Sequence, residues 1–503
     1  MSGPIYPKAA RPESFADDDF LDAAQHLRRP DHTARNSSVT ADSLSGSLLP
    51  HKLWMEPSGL AGQAVVRIFD AVQQTARSKG WFAASALVGR SLRDDRKLHS
   101  RERRYVGDTV FAMLRKQRRL RALCGGKNPS GQAIYAAFLV DEQTAHSDAE
   151  LDALSRFLRS AGLSLPDVKA RRQDIEQRFS DIASASPDAQ ATLIGEALSY
   201  PDWLTSLFVS EFGLAQAIAI LHAQNGRARL TLRANTLRCS RDELCAKLHA
   251  LGIAAEPTPF SPWGVVLDTH LNVYSLPLHQ EGFCEVQDEA SQLVTELCAP
   301  PPGGLVIDAC AGAGGKTLGL SAMMGNRGRI LAFDIDDKKL SELKQRARRA
   351  GLTNIETRCL REDGLLHLVP ERICGAGAQR VLVDAPCSGL GVLRRNPESR
   401  WRLTPGDIDE ITVKQRQILA ASARLVAPHG RLIYATCTIL RRENDAIVDD
   451  FLASHPDFVP MPVKEILSSS RAAPLGDGDR MRIYPTENGP DGFFAAVLRR
   501  KAD

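Results

Sequence analysis

A chain of 503 residues and 54.9 kDa is too long for one core at about 100–200 residues per domain, and it predicts two to four domains. With 43% hydrophobic residues, 25% charged residues and a mean hydropathy of −0.22, the composition is that of a soluble globular protein. No apolar run reaches the roughly 18 residues of a membrane span, which excludes an integral membrane protein. The net charge of +4 is unevenly spread: Arg90 to Lys127 hold 13 Lys and Arg against 4 Asp and Glu, and the rest of the chain is net negative. A basic cluster in one segment is the footprint of a polyanion binder.

The start has no apolar core of signal-peptide type, and Asp17, Asp18 and Asp19 argue against a transit peptide. Ten cysteines without a secretory signal read as reduced thiols in a cytoplasmic protein. No Cys-x-x-Cys pair occurs, so no structural metal is expected.

Residues 1–61 carry scattered prolines and Ser- and Asp-rich patches with little apolar periodicity, as in a disordered tail. From residue 62 to 200 the pattern is helical. Val65, Ile68, Phe69 and Val72 form an i, i+3, i+4, i+7 stripe, and Tyr105, Val106, Thr109, Val110, Met113 and Leu114 form a second. Pro201 is placed to open new helices, and residues 201–225 read as connecting helices. Between 226 and 290 the period changes: RARLTLRANTL, GVVLDT and GFCEVQ read as strands around a helix capped by Ser240 and Glu243, a small α/β subdomain. Residues 291–503 alternate buried strands (GLVIDAC, RILAFDID, RVLVDAP, RLIYATC and FFAAVLRR) with polar helices. That order predicts an open, mostly parallel, doubly wound sheet.

Ligands of such sheets sit at the carboxyl ends of the strands, so the residues there carry the chemistry. The first strand runs into Asp308-Ala-Cys310-Ala311-Gly312-Ala313-Gly314-Gly315-Lys316-Thr317, a glycine turn that lets backbone approach a ligand. Asp334 ends the next strand at the spacing of a ribose-binding acid. The pair fits a nicotinamide dinucleotide or S-adenosylmethionine; the glycine spacing departs from the dinucleotide fingerprint and favours the latter. Two further strand ends lead into Asp384-Ala-Pro386-Cys387-Ser388-Gly389 and Thr436-Cys437-Thr438, each with a thiol at the ligand-bearing edge.

These sequences, with Glu443-Asn444 and the upstream Val286-Gln287-Asp288-Glu289-Ala290-Ser291 and Leu232-Arg233-Ala234-Asn235-Thr236-Leu237, resemble the RsmB/Nop/Sun family of S-adenosylmethionine-dependent RNA cytosine-5 methyltransferases. The resemblance covers about 225–503. Residues 62–200 resemble, more weakly, the NusB-like RNA-binding domain of the RsmB type. One departure is visible: the family loop commonly reads Ala-Pro-Gly-Gly-Lys where this chain has Gly312-Ala313-Gly314-Gly315-Lys316.

The resemblance implies a multidomain protein: an α-helical NusB-like bundle, a small α/β subdomain, and a C-terminal Rossmann-like methyltransferase domain with a mostly parallel seven-stranded sheet. It assigns attack on cytosine to Cys437 and release of the adduct to Cys387. Asp384 is sited to bond the cytosine edge and to touch the methionine part of the cofactor. Cys310–Lys316 would wrap the methionine end, Asp334 take the ribose hydroxyls, and Asp363 sit by the adenine. Arg394, Arg395, Arg400, Trp401 and Arg402 are expected to grip phosphate and stack a base. The partner is RNA, with small-subunit ribosomal RNA first and transfer RNA second; a non-catalytic RNA-binding assembly factor is the rival reading. The chain is expected to be a monomer.

Overall fold

The computed structural model describes residues 58–79, 84–126, 128–145, 147–268, 271–361, 364, 375–472, 475–476 and 478–502. Most of the expected tail, together with Lys127 and Asp363, lies outside the described residues. The described residues fall into two compact units, an all-helical one (58–79 and 86–221) and an α/β one (84–85 and 222–502).

In the helical unit both apolar stripes turn inward. Val65, Ile68, Phe69 and Val72 from Leu60–Lys79, and Tyr105, Val106, Thr109, Val110, Met113 and Leu114 from Ser100–Arg115, are buried. Around them pack further helices, among them Gly131–Asp141, which is apolar on every side and almost wholly buried, as a central helix must be. The Tyr105 and Tyr135 hydroxyls meet at 2.5 Å inside this core. The basic cluster divides in two. Lys116 pairs with Asp141 (3.1 Å) and Glu142 (2.5 Å), Arg119 with Asp141 (2.9 Å) and Glu176 (3.2 Å), and Arg118 with Asp202 (2.5 Å), so these cations hold helices together. Arg90, Arg93, Arg96, Lys97, Arg101 and Arg104 are exposed.

The α/β unit opens with an antiparallel sheet of β1 (Leu230–Ala234), β2 (Ala255–Pro257), β3 (Gly264–Leu267) and β4 (Cys284–Val286), in the order β2-β3-β1-β4. The helix Arg241–Ala250 starts at a Ser240/Glu243 capping box and sets Leu244, Cys245 and Leu248 on Leu232, Val265 and Leu267.

The main sheet comprises β5 (Leu305–Asp308), β6 (Arg329–Asp334), β7 (Ile355–Cys359), β8 (Ala378–Asp384), β9 (Val426–Thr436), β10 (Phe458–Met461), β11 (Arg480–Ile483) and β12 (Phe493–Arg500). Seven of these follow the path β10-β12-β9-β8-β5-β6-β7, and β11 is an eighth strand that shares the outer edge of β12 with β10. β5 to β9 are parallel and β12 runs antiparallel to β9. Apolar side chains from both faces bury against helices. Glu289–Cys298 contributes Leu293, Val294 and Leu297 to one core, and Pro405–Ala423 and Asp445–Ser454 contribute Leu419, Ile447, Val448 and Phe451 to the other. The order reverses between β5's neighbours β6 and β8, the switch point at which such sheets open a ligand crevice.

One sequence expectation is overturned here. Arg394 and Arg400, expected on phosphate, are fully buried. Arg394 donates to Asp491 (2.5 Å) and to the carbonyls of Thr486 and Gly489; Arg395 bridges Asp491 and Asp288; Arg400 donates to Asn225 (2.7 Å). For Arg394 and Arg395 the physical reason is compensation: Asp491 and Asp288 are nine-tenths buried or more, and their charges require these two cations. Burial and the neighbouring Asp491 lift Asp288 to about 6, with Arg395 and Arg394 opposing. Asp491→Ala strands Arg394 in the interior, so it should cost about 3–5 kcal/mol of stability in denaturant unfolding.

Candidate functional site

The carboxyl ends of β6, β5, β8 and β9 lie next to one another in that order, and each ends in a chemistry-bearing residue: Asp334, Asp308, Asp384 and Thr436. After β5 the chain turns through Cys310–Gly314 into the helix Gly315–Met323. Gly312 (φ 52°) and Gly314 (φ 88°) both take the left-handed conformation, for different reasons of space. A Cβ at Gly314 would stand 2.5 Å from Leu343, whereas one at Gly312 would meet nothing within 4 Å. The turn is held from outside by Asp334, whose two carboxylate oxygens accept the Gly312 and Asp336 amides at 2.8 Å each. Arg346 donates to the Ala313 carbonyl (2.8 Å) and Arg233 to that of Gly315 (2.6 Å). Asp308, at the bottom, accepts the Thr317 hydroxyl (2.7 Å) on one oxygen, while Oδ1 is buried and meets no donor of hydrogen-bond geometry. Burial, reinforced by Asp384, pushes Asp308 up to about 7 against the Thr317 hydroxyl and Lys316. Burial and the carboxylates of Asp308, Asp384 and Asp334 push the Cys310 thiol well up, so it stays protonated.

β8 and β9 pair with Asp384 opposite Ala435, and the turns that follow put Cys387 Sγ and Cys437 Sγ 3.2 Å apart. Both cysteines are partly accessible. The Gly391 amide donates to the Cys437 carbonyl (3.0 Å), and a Cβ at Gly391 would collide with the Gly492 oxygen at 2.2 Å, so only glycine lets the strands' exits run this close. Lys316 Nζ, nearly buried, donates to Asp384 at 2.6 Å and lies 5.3 Å above the Phe493 ring. Burial presses Lys316 down, but Asp384, followed by Cys437 and Asp308, more than offsets it and holds the ammonium above the usual lysine value. The structure thus brings together Cys310, Ala311, Gly312, Ala313, Gly314, Gly315, Lys316, Asp334, Asp384, Cys387 and Cys437 along one sheet edge.

A family model described as 16S rRNA methyltransferase RsmB/F matches residues 295–499, and one for the RsmF/B-like ferredoxin-like domain matches residues 200–274. The probable ribosomal RNA small subunit methyltransferase B of Synechocystis sp. is 31% identical over 416 residues, covering 79% of this chain and 91% of its own. The chain belongs to the RsmB/F family of 16S rRNA methyltransferases. The Bacillus subtilis protein described as probable ribosomal RNA small subunit methyltransferase B is 34% identical over 311 residues, 60% of this chain and 67% of its own. Among solved structures, a methyltransferase homolog protein from Pyrococcus horikoshii is 25% identical with a TM-score of 0.53, covering 63% of this chain and 100% of that one.

Three features of this RsmB/F-family site were not assigned from sequence. Arg233, quoted only within a motif, reaches from β1 to the glycine turn; burial pulls it down to about 10, Glu285 opposing and Arg346 adding. A Cβ at Gly319 would stand 2.8 Å from its guanidinium, so the helix behind the turn needs a glycine there. Ile335, beside Asp334, leaves an apolar side chain 59% exposed at the crevice, and exposure of that kind has no sequence signature. Glu443, quoted only as part of a motif, is completely buried behind the cysteine turns.

The glycines should separate by experiment. Gly314→Ala is strained and collides with Leu343, and should lose about 1–3 kcal/mol of stability in thermal unfolding. Gly312→Ala should be milder in the same measurement, because its methyl meets nothing within 4 Å. Asp308 gives a pH signature. Unfolded, it titrates near 4, and folded near 7, so its stabilising contribution is fully present below about pH 4 and lost as pH rises through about 7. The fall in thermal midpoint between about pH 5 and 8 should therefore be smaller in Asp308→Asn than in the native chain.

Proposed function

We propose that this protein transfers a methyl group from S-adenosylmethionine to carbon 5 of a cytosine in small-subunit ribosomal RNA, through a covalent adduct with Cys437. The observation that carries the reading is the 3.2 Å contact between two partly accessible thiols, at the exits of adjacent parallel strands and beside a glycine turn. The names of the Synechocystis and Bacillus subtilis relatives support ribosomal over transfer RNA.

The residues fit the methyl donor. Gly312 leaves open space for it, Cys310 to Lys316 would line its methionine end, Asp334 would take its ribose hydroxyls, and Ile335 offers an apolar surface. Asp363, proposed beside the adenine, lies outside the described residues. When bound, this cofactor supplies an electrophilic methyl group on a sulfonium.

Carbon 5 of cytosine is a poor nucleophile. The Cys437 thiolate adds to carbon 6, the carbon 5–carbon 6 electron pair shifts into the ring, and carbon 5 becomes nucleophilic. Asp384, anchored by Lys316 and about one-third exposed, is positioned to bond the cytosine edge and stabilise the charge that develops. After methylation a base removes the carbon 5 proton, the double bond re-forms and the Cys437 sulfur departs, with Cys387 assisting release. The reacting base must leave its stack to reach this edge. Arg90, Arg93, Arg96, Lys97, Arg101 and Arg104 of the helical unit, which we read as NusB-like and RNA-binding, present cations for backbone phosphates. We read the chain as a cytoplasmic monomer. No described helix is long and apolar enough to cross a membrane, and the described residues hold no cluster of metal-ligating side chains.

The test mixes protein, S-adenosylmethionine and small-subunit ribosomal RNA. Cys387→Ala should accumulate a denaturant-resistant protein–RNA adduct. Cys437→Ala should form none and lose methyl transfer by about 10³-fold or more, as for loss of other covalent nucleophiles. Methyl transfer retained in Cys437→Ala would end the covalent reading, and bisulfite sequencing of the product RNA would reveal a target in transfer RNA instead.

A further inference from the structure

We propose that the two thiols are also a modification site: hydrogen peroxide joins Cys387 and Cys437 in a disulfide, which withdraws both sulfurs from the reaction until a thiol reductant parts them. The bond follows from the geometry of the pair alone; its effect on methyl transfer rests on the cysteine chemistry proposed above.

The sulfurs lie 3.2 Å apart, and both cysteines are partly accessible. A disulfide needs about 2.05 Å between its sulfurs, so closure takes about 1 Å of approach, shared between two side chains. Contacts that do not involve sulfur prepare that approach. β8 and β9 pair in parallel with Asp384 opposite Ala435, three residues before Cys387 and two before Cys437. Beyond the strands, the Gly391 amide donates to the Cys437 carbonyl (3.0 Å), and the Ser388 and Thr438 hydroxyls meet at 2.9 Å. Buried Glu443 accepts the Ser388 amide (2.9 Å) and the Thr438 hydroxyl (2.9 Å), which ties together the residues that follow the two cysteines. The thiols are thereby held in contact whether or not they are bonded. Cys124, Cys239, Cys245, Cys284 and Cys298, in contrast, are buried away from solvent oxidants. An accessible thiol with a second thiol at contact distance is the arrangement in which a sulfenic acid is resolved as a disulfide before it is oxidised further.

The chemistry balances with peroxide as the oxidant. One sulfur, as thiolate, attacks a peroxide oxygen: a sulfur–oxygen bond forms, the oxygen–oxygen bond breaks and hydroxide leaves, giving a sulfenic acid. The neighbouring sulfur, as thiolate, then attacks the oxidised one: the sulfur–sulfur bond forms, the sulfur–oxygen bond breaks and a second hydroxide leaves. The two thiol protons turn both hydroxides into water, the sulfur pair has lost two electrons and the peroxide has gained them. The product is the same whichever sulfur attacks first. A disulfide holds no thiolate to add to carbon 6 of cytosine, so the joined pair cannot begin the reaction. In a compartment kept reduced such a bond is transient, because thiol–disulfide exchange returns both thiols.

The experiment treats the full-length native protein with hydrogen peroxide, blocks the remaining thiols with N-ethylmaleimide in denaturant, and reads the digest by non-reducing peptide mass spectrometry. The peptides of Cys387 and Cys437 should appear joined, two hydrogens lighter than their sum, and dithiothreitol should return both as free thiols. Methyl transfer to small-subunit ribosomal RNA should be lost as the joined peptide accumulates and should return with dithiothreitol. In Cys387→Ala, read by mass spectrometry alone, Cys437 should pass instead to sulfinic and sulfonic acids that dithiothreitol does not reverse. The proposal is overturned if the native pair gives those acids with no joined peptide, or stays unmodified while exposed Cys359 is oxidised, or is joined to Cys310 or Cys359 instead. An intact adduct test without the joined peptide refutes the oxidation site alone. A joined pair that forms while the adduct test fails refutes the covalent reading alone, and a joined pair that still transfers methyl refutes the loss of activity.

Discussion

Neighbouring parallel strands leave a sheet along the same edge, about 4.8 Å apart, and the pairing of β8 with β9 puts this to chemical use. Asp384 stands opposite Ala435; Cys387 follows the first by three residues and Cys437 the second by two, so both thiols arrive side by side above the strand ends. A slip of one residue would turn Asp384 and Ala435 to opposite faces and separate the sulfurs. The pairing is enforced by the apolar runs of both strands, buried on two sides, and by glycines at Gly391 and Gly492 that permit backbone contact just beyond them.

Charge is placed with the same economy. Acids of the α/β unit are matched by cations: Lys316 to Asp384, Arg394 and Arg395 to Asp491, Arg395 also to Asp288, Arg346 and Arg349 to Glu285. Arginines in a loop beside a nucleic-acid site invite reading as phosphate ligands, yet a guanidinium that already satisfies a buried acid is structural. Glu443 is held instead by neutral donors, the Ser388 amide and hydroxyl, the Thr438 hydroxyl and the Gln415 side-chain amide.

The small antiparallel subdomain contributes more than a flank. Through Arg233 on β1 and Glu285 on β4, the latter by way of Arg346, it grips the carbonyls on the outer side of the glycine turn. The Gly312 amide bonds Asp334 on one side and the Ala313 and Gly315 carbonyls bond arginines on the other, which keeps the turn's unusual dihedrals in place without a proline.

Local periodicity carried much of the architecture. The 3.6-residue stripes of the helices, the unbroken apolar runs of β5, β6, β8 and β9, and the capping box at Ser240 can each be read within a dozen residues, because burial on one face or two imposes its own repeat. The candidate site was legible for a related reason: parallel topology sends every strand end to one edge, so Asp308, Asp334, Asp384, Cys387 and Cys437 could be gathered before any distance was known. β2, β7, β10 and β11 were not foreseen; they are short or lie at sheet edges, where half-exposed residues follow no apolar run. Which arginine meets an acid and which meets solvent, that Glu443 bonds the residues following both cysteines, and that the sulfurs touch were decided by the tertiary structure alone. Those pairings join residues 50 to 107 positions apart, and a contact closed by the whole chain leaves no periodic trace in the segments that make it.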